Sequence, residues 1–146
     1  MKPNNTVYVT GSTGLRELPT EAIASLDRIM EQGIEVHTGD NSGVELLTQL
    51  YLAKHKYKNV LLFSPTRKGS KSRCLRFNLG MWPVIPCFGD RYHRDRCMAT
   101  YSYWLLLVVE EGNLDFSYLS NRFPAQLRKE IKLMPSEYNQ QLGTLV

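Results

Sequence analysis

Two short loops of small residues, each at the end of an apolar run, most constrain what this chain can become. Val7-Tyr8-Val9-Thr10 runs into Gly11-Ser12-Thr13-Gly14. Val36-His37-Thr38 runs into Gly39-Asp40-Asn41-Ser42-Gly43. Each loop leads into a stretch with helical spacing of apolar residues. Strand, small-residue loop and helix make up the unit from which open α/β sheets build ligand sites. Backbone N–H groups and the helix N-terminus face the crevice beyond the strand ends. Two such units on adjacent parallel strands point to a phosphate-bearing small molecule, a nucleotide first of all.

The rest of the chain repeats the alternation. Strands are expected at Val7–Thr10, Glu35–Thr38, Asn59–Ser64 and Tyr103–Val109, and a short one at Val84–Pro86, where Pro83 and Pro86 suit a sheet edge. Val60-Leu61-Leu62-Phe63 is continuously apolar, as a strand covered on both faces should be. Ala22, Ile23, Leu26, Ile29 and Met30 recur at helical spacing after Pro19, and Gly33 ends that helix. Ser42 and Glu45 fit a capping box for a second helix with Val44, Leu47, Leu50 and Tyr51 inward. Asp90 caps a third helix reaching about Ser102. Pro124 opens a fourth, carrying Leu127 and Ile131. The tail after Pro135 reads as weakly structured. Strands alternating with helices imply a mainly parallel sheet with right-handed crossovers and helices on both faces. The expectation is α/β: a single Rossmann-like domain over residues 1–146. The GxGxxG and P-loop fingerprints are both absent.

The 146 residues are enough for one domain with a real core. The apolar run from Trp104 to Val109 is too short to cross a membrane, and the N-terminus lacks the apolar core of a signal peptide. Cys74, Cys87 and Cys97 form no CxxC and read as reduced thiols, so a cytoplasmic protein is expected. His93 and Cys97 stand four apart, but two ligands do not make a zinc site, and neither metal nor cofactor is expected. The net charge of +4 hides an asymmetry. Lys54 to Arg96 holds eleven Lys or Arg against Asp90 and Asp95, which leaves about −5 for the remainder. A segregated positive field concentrates anions.

Gly11, Ser12, Thr13 and Gly14 would offer N–H and hydroxyl donors to a phosphate, with glycine allowing close approach. On that reading Gly11→Val and Gly43→Asp abolish binding in a protein that stays folded. Asp40 suits either a ribose hydroxyl or a loop-stiffening turn. Glu45 suits either the capping box or a ligand. Arg91, Arg94 and Arg96 open the third helix, where cations oppose the helix dipole, so a use beyond helix stability is implied. Arg91 and Asp95 are spaced for an i,i+4 ion pair. Glu110 and Glu111 follow a strong strand, where open sheets place chemistry, and suit either a nucleophile on a glycosidic carbon or an exposed acidic turn.

Val9-Thr10-Gly11-Ser12, then Gly39-Asp40-Asn41-Ser42-Gly43-Val44-Glu45, then Arg94-Asp95-Arg96-Cys97-Met98-Ala99 resembles the SLOG superfamily, over about residues 7 to 109. That group joins DNA-processing protein A, the Lonely Guy hydrolases and small stand-alone Rossmann-like proteins. The resemblance implies nucleotide binding by the two loops, with Arg94 as the principal anion contact. Thr13 stands where relatives carry Arg, and Arg16 lies three residues on. The Pro-Gly-Gly-x-Gly-Thr loop of the Lonely Guy hydrolases is missing; Val109-Glu110-Glu111-Gly112-Asn113 stands there instead.

Three functions follow as expectations. The first is binding of a nucleotide or nucleotide-derived small molecule through Gly11, Ser12, Thr13, Gly14, Arg16, Gly39, Asp40, Ser42, Gly43, Glu45 and Arg94. The second is N-glycosidic hydrolysis or transfer, with Glu110 or Glu111 as the catalytic carboxylate. The third is single-stranded nucleic-acid binding through Arg67, Lys68, Lys71, Arg73 and Arg76, with Phe77 or Trp82 stacking. No membrane partner is expected. A homo-oligomer is expected, which the composition permits without requiring.

Overall fold

The structure, a computed structural model, describes residues 5–66, 76–110 and 116–133. In chain order its elements are β1 (Thr6–Gly11), α1 (Thr20–Glu31), β2 (Glu35–Thr38), α2 (Val44–Lys54), β3 (Val60–Thr66), β4 (Val84–Phe88), α3 (Arg91–Tyr101), β5 (Trp104–Glu110), α4 (Ser117–Ser120), a 3-10 turn (Ala125–Leu127) and β6 (Arg128–Leu133). The six strands form one parallel sheet in the order β4-β3-β2-β1-β5-β6. This is the α/β, Rossmann-like architecture that the alternation implies. All four long strand segments of the sequence reading lie in it, and the short strand at residues 84–88 lies at its edge.

Strand order explains the layering. The chain steps outward from β1 to β4, then returns through α3 to the other side of β1. Reversing direction under right-handed crossovers moves the helix to the opposite face. Val7, Val9, Val36, Leu62, Leu106 and Val108 therefore pack with α1 and α2. Tyr8, Phe63, Leu105, Leu107 and Val109 pack with Met98 and Ala99 of α3 and Leu119 of α4. Neighbouring residues of β5 serve different layers, which is why its sequence is apolar without alternation. No helix among the described residues is long and apolar enough to cross a membrane.

Two local expectations are corrected. Leu127 and Ile131 do not share a helix: Arg128–Leu133 is a strand paired with β5. Ile131 and Leu133 meet the α1 side of the core. Arg128, Glu130 and Lys132 alternate with them, and this period of two wins once β5 offers a partner. In α2, Leu50 points outward, half exposed, while Glu45, Thr48 and Gln49 are fully buried with Val44 and Leu52. The helix is apolar nearly all round, so apolar spacing did not reveal its inner face. The tail after Pro135 lies outside the described residues.

Cys87 of β4 is buried. Burial, followed by the neighbouring Cys97 thiol, pushes its pKa up to about 12. Its thiolate is scarce at neutral pH, and the thiolate is the nucleophile. Alkylation of Cys87 by iodoacetamide at pH 8 is expected to be much slower in the folded protein than in urea, followed by peptide mass spectrometry. Equal rates in both would place the thiol at the surface.

Candidate functional site

The strand order reverses between β1 and β5, and the carboxyl ends of strands at such a reversal are where open α/β sheets form the crevice that holds ligands. Ser12 binds the two strands together there. Its N–H donates to Val108 O at 3.0 Å, and its Oγ accepts from Glu110 N at 3.0 Å. Its carbonyl accepts from Val44 N at 3.1 Å, which attaches the N-terminus of α2. Ser42 Oγ donates to the Thr13 carbonyl at 3.1 Å. The two loops singled out in the sequence thus lie against each other. Ser42 is not the helix cap: Gly43 holds that position with φ 76°, and no side chain caps it.

The loops divide by exposure. Ser12, Gly39, Asp40, Gly43, Glu45 and Arg94 are inside, while Thr13, Gly14, Arg16 and Ser42 are exposed. A Cβ on Gly14 would meet nothing within 4 Å. A Cβ on Gly11 would stand 1.8 Å from Val108 O, and one on Gly43 2.2 Å from Ser12 O. Gly11 and Gly43 are therefore demanded by chain packing, which corrects the expectation that Gly11→Val and Gly43→Asp leave the fold intact.

Beneath the loops lies a buried charge network. Arg94 of α3 is 1% exposed. Its Nη1 donates to Glu45 Oε1 at 3.2 Å and its Nη2 to Glu45 Oε2 at 3.1 Å, a bidentate pair. Its Nε and Nη2 donate to Asp95 Oδ1 at 3.1 and 2.7 Å. Asp40 Oδ1 lies 3.7 Å from Nη1. Glu45 also accepts from Thr10 Oγ1 at 2.8 Å and from Asn41 N at 3.0 Å. Asp95 accepts from Tyr8 at 3.2 Å and Tyr118 at 2.6 Å. Burial, then the Asp95 charge, pushes the Tyr8 pKa well up, and burial with the Asp95 hydrogen bond does the same for Tyr118, so both phenols keep the protons they donate. Burial opposes the guanidinium charge, but Glu45 and the other anionic partners more than offset it and raise the Arg94 pKa.

The network has a topological purpose. Glu45 belongs to a helix on one face of the sheet and Arg94 to a helix on the other. Their side chains meet over the end of β2, where a Cβ on Gly39 would stand 2.3 Å from Arg94 Nη1. Gly39 leaves the opening through which the two layers are joined. Asp40 and Gln49 fasten the next segment. Asp40 Oδ2 accepts from Arg76 N. Gln49 Nε2 donates to Gly39 O at 2.8 Å and Phe77 O at 3.3 Å, and its Oε1 accepts from Leu79 N at 3.1 Å.

Several candidates stand elsewhere. Arg94, the expected anion contact, is buried beneath the loops and gives four of its five N–H donors to Glu45 and Asp95. Asp95 pairs with Arg94, its chain neighbour; the expected pair with Arg91 rests on a side chain outside the described residues. Glu110 is exposed at the crevice, while Glu111 and the basic residues Arg67, Lys68, Lys71 and Arg73 lie outside the described residues. Trp82 is buried with its Nε1 donating to Tyr57 O at 2.8 Å, so it presents no face for stacking. Among the described residues no group of three His, Cys, Asp or Glu side chains is placed to hold a metal ion. A cavity of about 540 Å³ lies at the opposite end of the sheet, between α1 and β5–β6, and contains none of the loop residues.

One constellation gave no sequence signal. His37 lies 2.8 Å from Ser102 Oγ through Nδ1 and 2.7 Å from Glu35 Oε2 through Nε2. Burial pushes the imidazole pKa down, and Glu35 pulls against it. The order of groups resembles a hydrolytic triad, but Ser102 is fully buried and donates to Met98 O at 2.6 Å, so substrate cannot reach it.

Compared with protein-family models, curated proteins and solved structures, the chain matches none.

Proposed function

We propose that the crevice at the carboxyl ends of β1, β2 and β5 binds a nucleotide or nucleotide-derived small molecule. The observation that carries this reading is the reversal of strand order between β1 and β5, with exposed Thr13 and Gly14 beside it. Their amides and the Thr13 hydroxyl are the donors for a phosphate, and Arg16 and Arg76 supply positive charge at the rim. The buried network beneath holds three carboxylates against one guanidinium, so the phosphate belongs on the outer loop and not deeper.

Small molecules released by heat-denaturing the purified protein, identified by mass spectrometry, test the proposal, with calorimetry on a nucleotide panel alongside. Gly14→Asp has room for its side chain and places an anion at the phosphate position. It is expected to weaken binding about tenfold or more with an unchanged melting temperature. A panel in which no nucleotide binds the wild type would end the reading. A second reading, cleavage of an N-glycosidic bond, is favoured by one observation: Glu110 puts an exposed carboxylate at the same crevice. Free base that is released by the wild type and lost in Glu110→Gln would establish it.

A further inference from the structure

The first half of α3 carries three arginines, Arg91, Arg94 and Arg96. Arg94 stands in the first turn of α3, where a cation opposes the helix dipole, and Arg96 in the second, beyond the reach of that effect. Arg94 has three carboxylates. Arg96 has none among the described residues: it is exposed and takes no part in the ion pairs found there. It lies on an outward stripe of α3 formed by His93, Arg96, Cys97, Thr100 and Tyr101, which faces Arg122 across a groove of about 370 Å³. No described residue lining this groove is acidic. Arg122 is likewise exposed and meets no carboxylate among the described residues. Tyr101 is 60% exposed, and its ring centroid lies 6.5 Å from that of Phe63, which supports it from below.

We propose that this groove binds a phosphate group carried next to an unstacked base, as in a single strand of nucleic acid or a free nucleotide. Two guanidiniums facing one space suit the phosphate, to which arginine donates in a planar fork. A half-open phenol held against a second ring suits the base, since base–aromatic stacking tolerates any base. Arg122, by its place in the chain, makes the site a joint property of α3 and the turn after α4. The groove contains neither loop of the crevice, so this proposal stands whether or not the crevice binds a nucleotide.

The test uses the full chain. A labelled oligothymidylate of about 16 nucleotides, within the span a small domain covers, is titrated by fluorescence anisotropy at rising salt. Thymidine monophosphate and inorganic phosphate are titrated by calorimetry. Binding of the oligonucleotide that weakens with salt, or of the mononucleotide alone, is expected and tells the two sources apart. Arg96→Ala and Arg122→Ala are each expected to weaken it about tenfold or more, and Tyr101→Ala to weaken it as well. Arg96→Gln, which keeps length without charge, should match Arg96→Ala. Arg28→Ala removes an exposed cation from α1 on the other face and is expected to change nothing. Gly14→Asp should also leave this binding intact, which separates it from binding at the crevice. The proposal is overturned if neither nucleic-acid probe binds, if only inorganic phosphate does, if Arg96→Ala and Arg122→Ala bind like the wild type, or if Arg28→Ala loses as much as they do.

Discussion

Arg94→Ala is expected to lose about 3–5 kcal/mol of stability, the usual cost of removing one partner from a buried ion pair. Total stability for a domain is about 5–15 kcal/mol, so the variant should be marginal at room temperature. At about 2–4 °C per kcal/mol for a chain of this size, its melting temperature should fall by roughly 6–20 °C. The cost arises from what stays behind. Without the guanidinium, Glu45 and Asp95 remain buried at 0% and 5% exposure with no cation between them, and Asp40 loses its nearest positive charge. Arg94→Lys keeps the charge but cannot serve Glu45 and Asp95 through a planar fork, so it should fall between. Urea unfolding of the three proteins gives the comparison. A loss below about 1 kcal/mol, the range of exposed pairs, would mean that water reaches the network and that the helices are not joined through it.

The same network shows where a sequence stops being readable. The strands were legible because residues 60–63 of β3 and 104–109 of β5 are apolar without interruption, a property of the residues themselves. The two loops were legible because Gly, Ser and Asp cluster at strand ends. What Arg94 does was not legible, because its partner Glu45 lies 49 residues away and nothing local marks the pair. A charged residue that must be buried looks the same, in one dimension, as a charged residue that awaits a ligand. The burial of Glu45 and Gln49 was hidden for a related reason. They occupy the inner face of α2, and the leucines around them satisfied the helical pattern without them. The strand β6 was missed because Leu127 and Ile131 are also four apart, and only the free edge of β5 decides between the two periods. Asp40 was left open between ribose and turn; in the structure both of its oxygens face protein groups, Arg76 N and Arg94.

Gly11→Val is expected to yield no folded protein, whereas Gly14→Val should fold like the wild type. Both glycines belong to the same loop and both read as phosphate contacts, so the contrast separates packing from binding. Gly11 is the last residue of β1 and pairs with Val108 of β5. A Cβ there would stand 1.8 Å from Val108 O and 2.8 Å from both Val108 C and Val44 Cγ2. Two of these atoms are backbone of the neighbouring strand, so no rotamer relieves the contact; β1 and β5 would have to separate. Separation breaks the sheet at its centre, where Ser12 also holds Val108, Glu110 and Val44. Overpacking a core costs about 1–3 kcal/mol when side chains can shift; here backbone must move, and the cost should exceed the upper end of that range. Circular dichroism and thermal unfolding of the two variants decide the matter. If Gly11→Val gave a cooperative transition near that of the wild type, the close approach of β1 to β5 would be wrong, and with it the crevice built on their carboxyl ends.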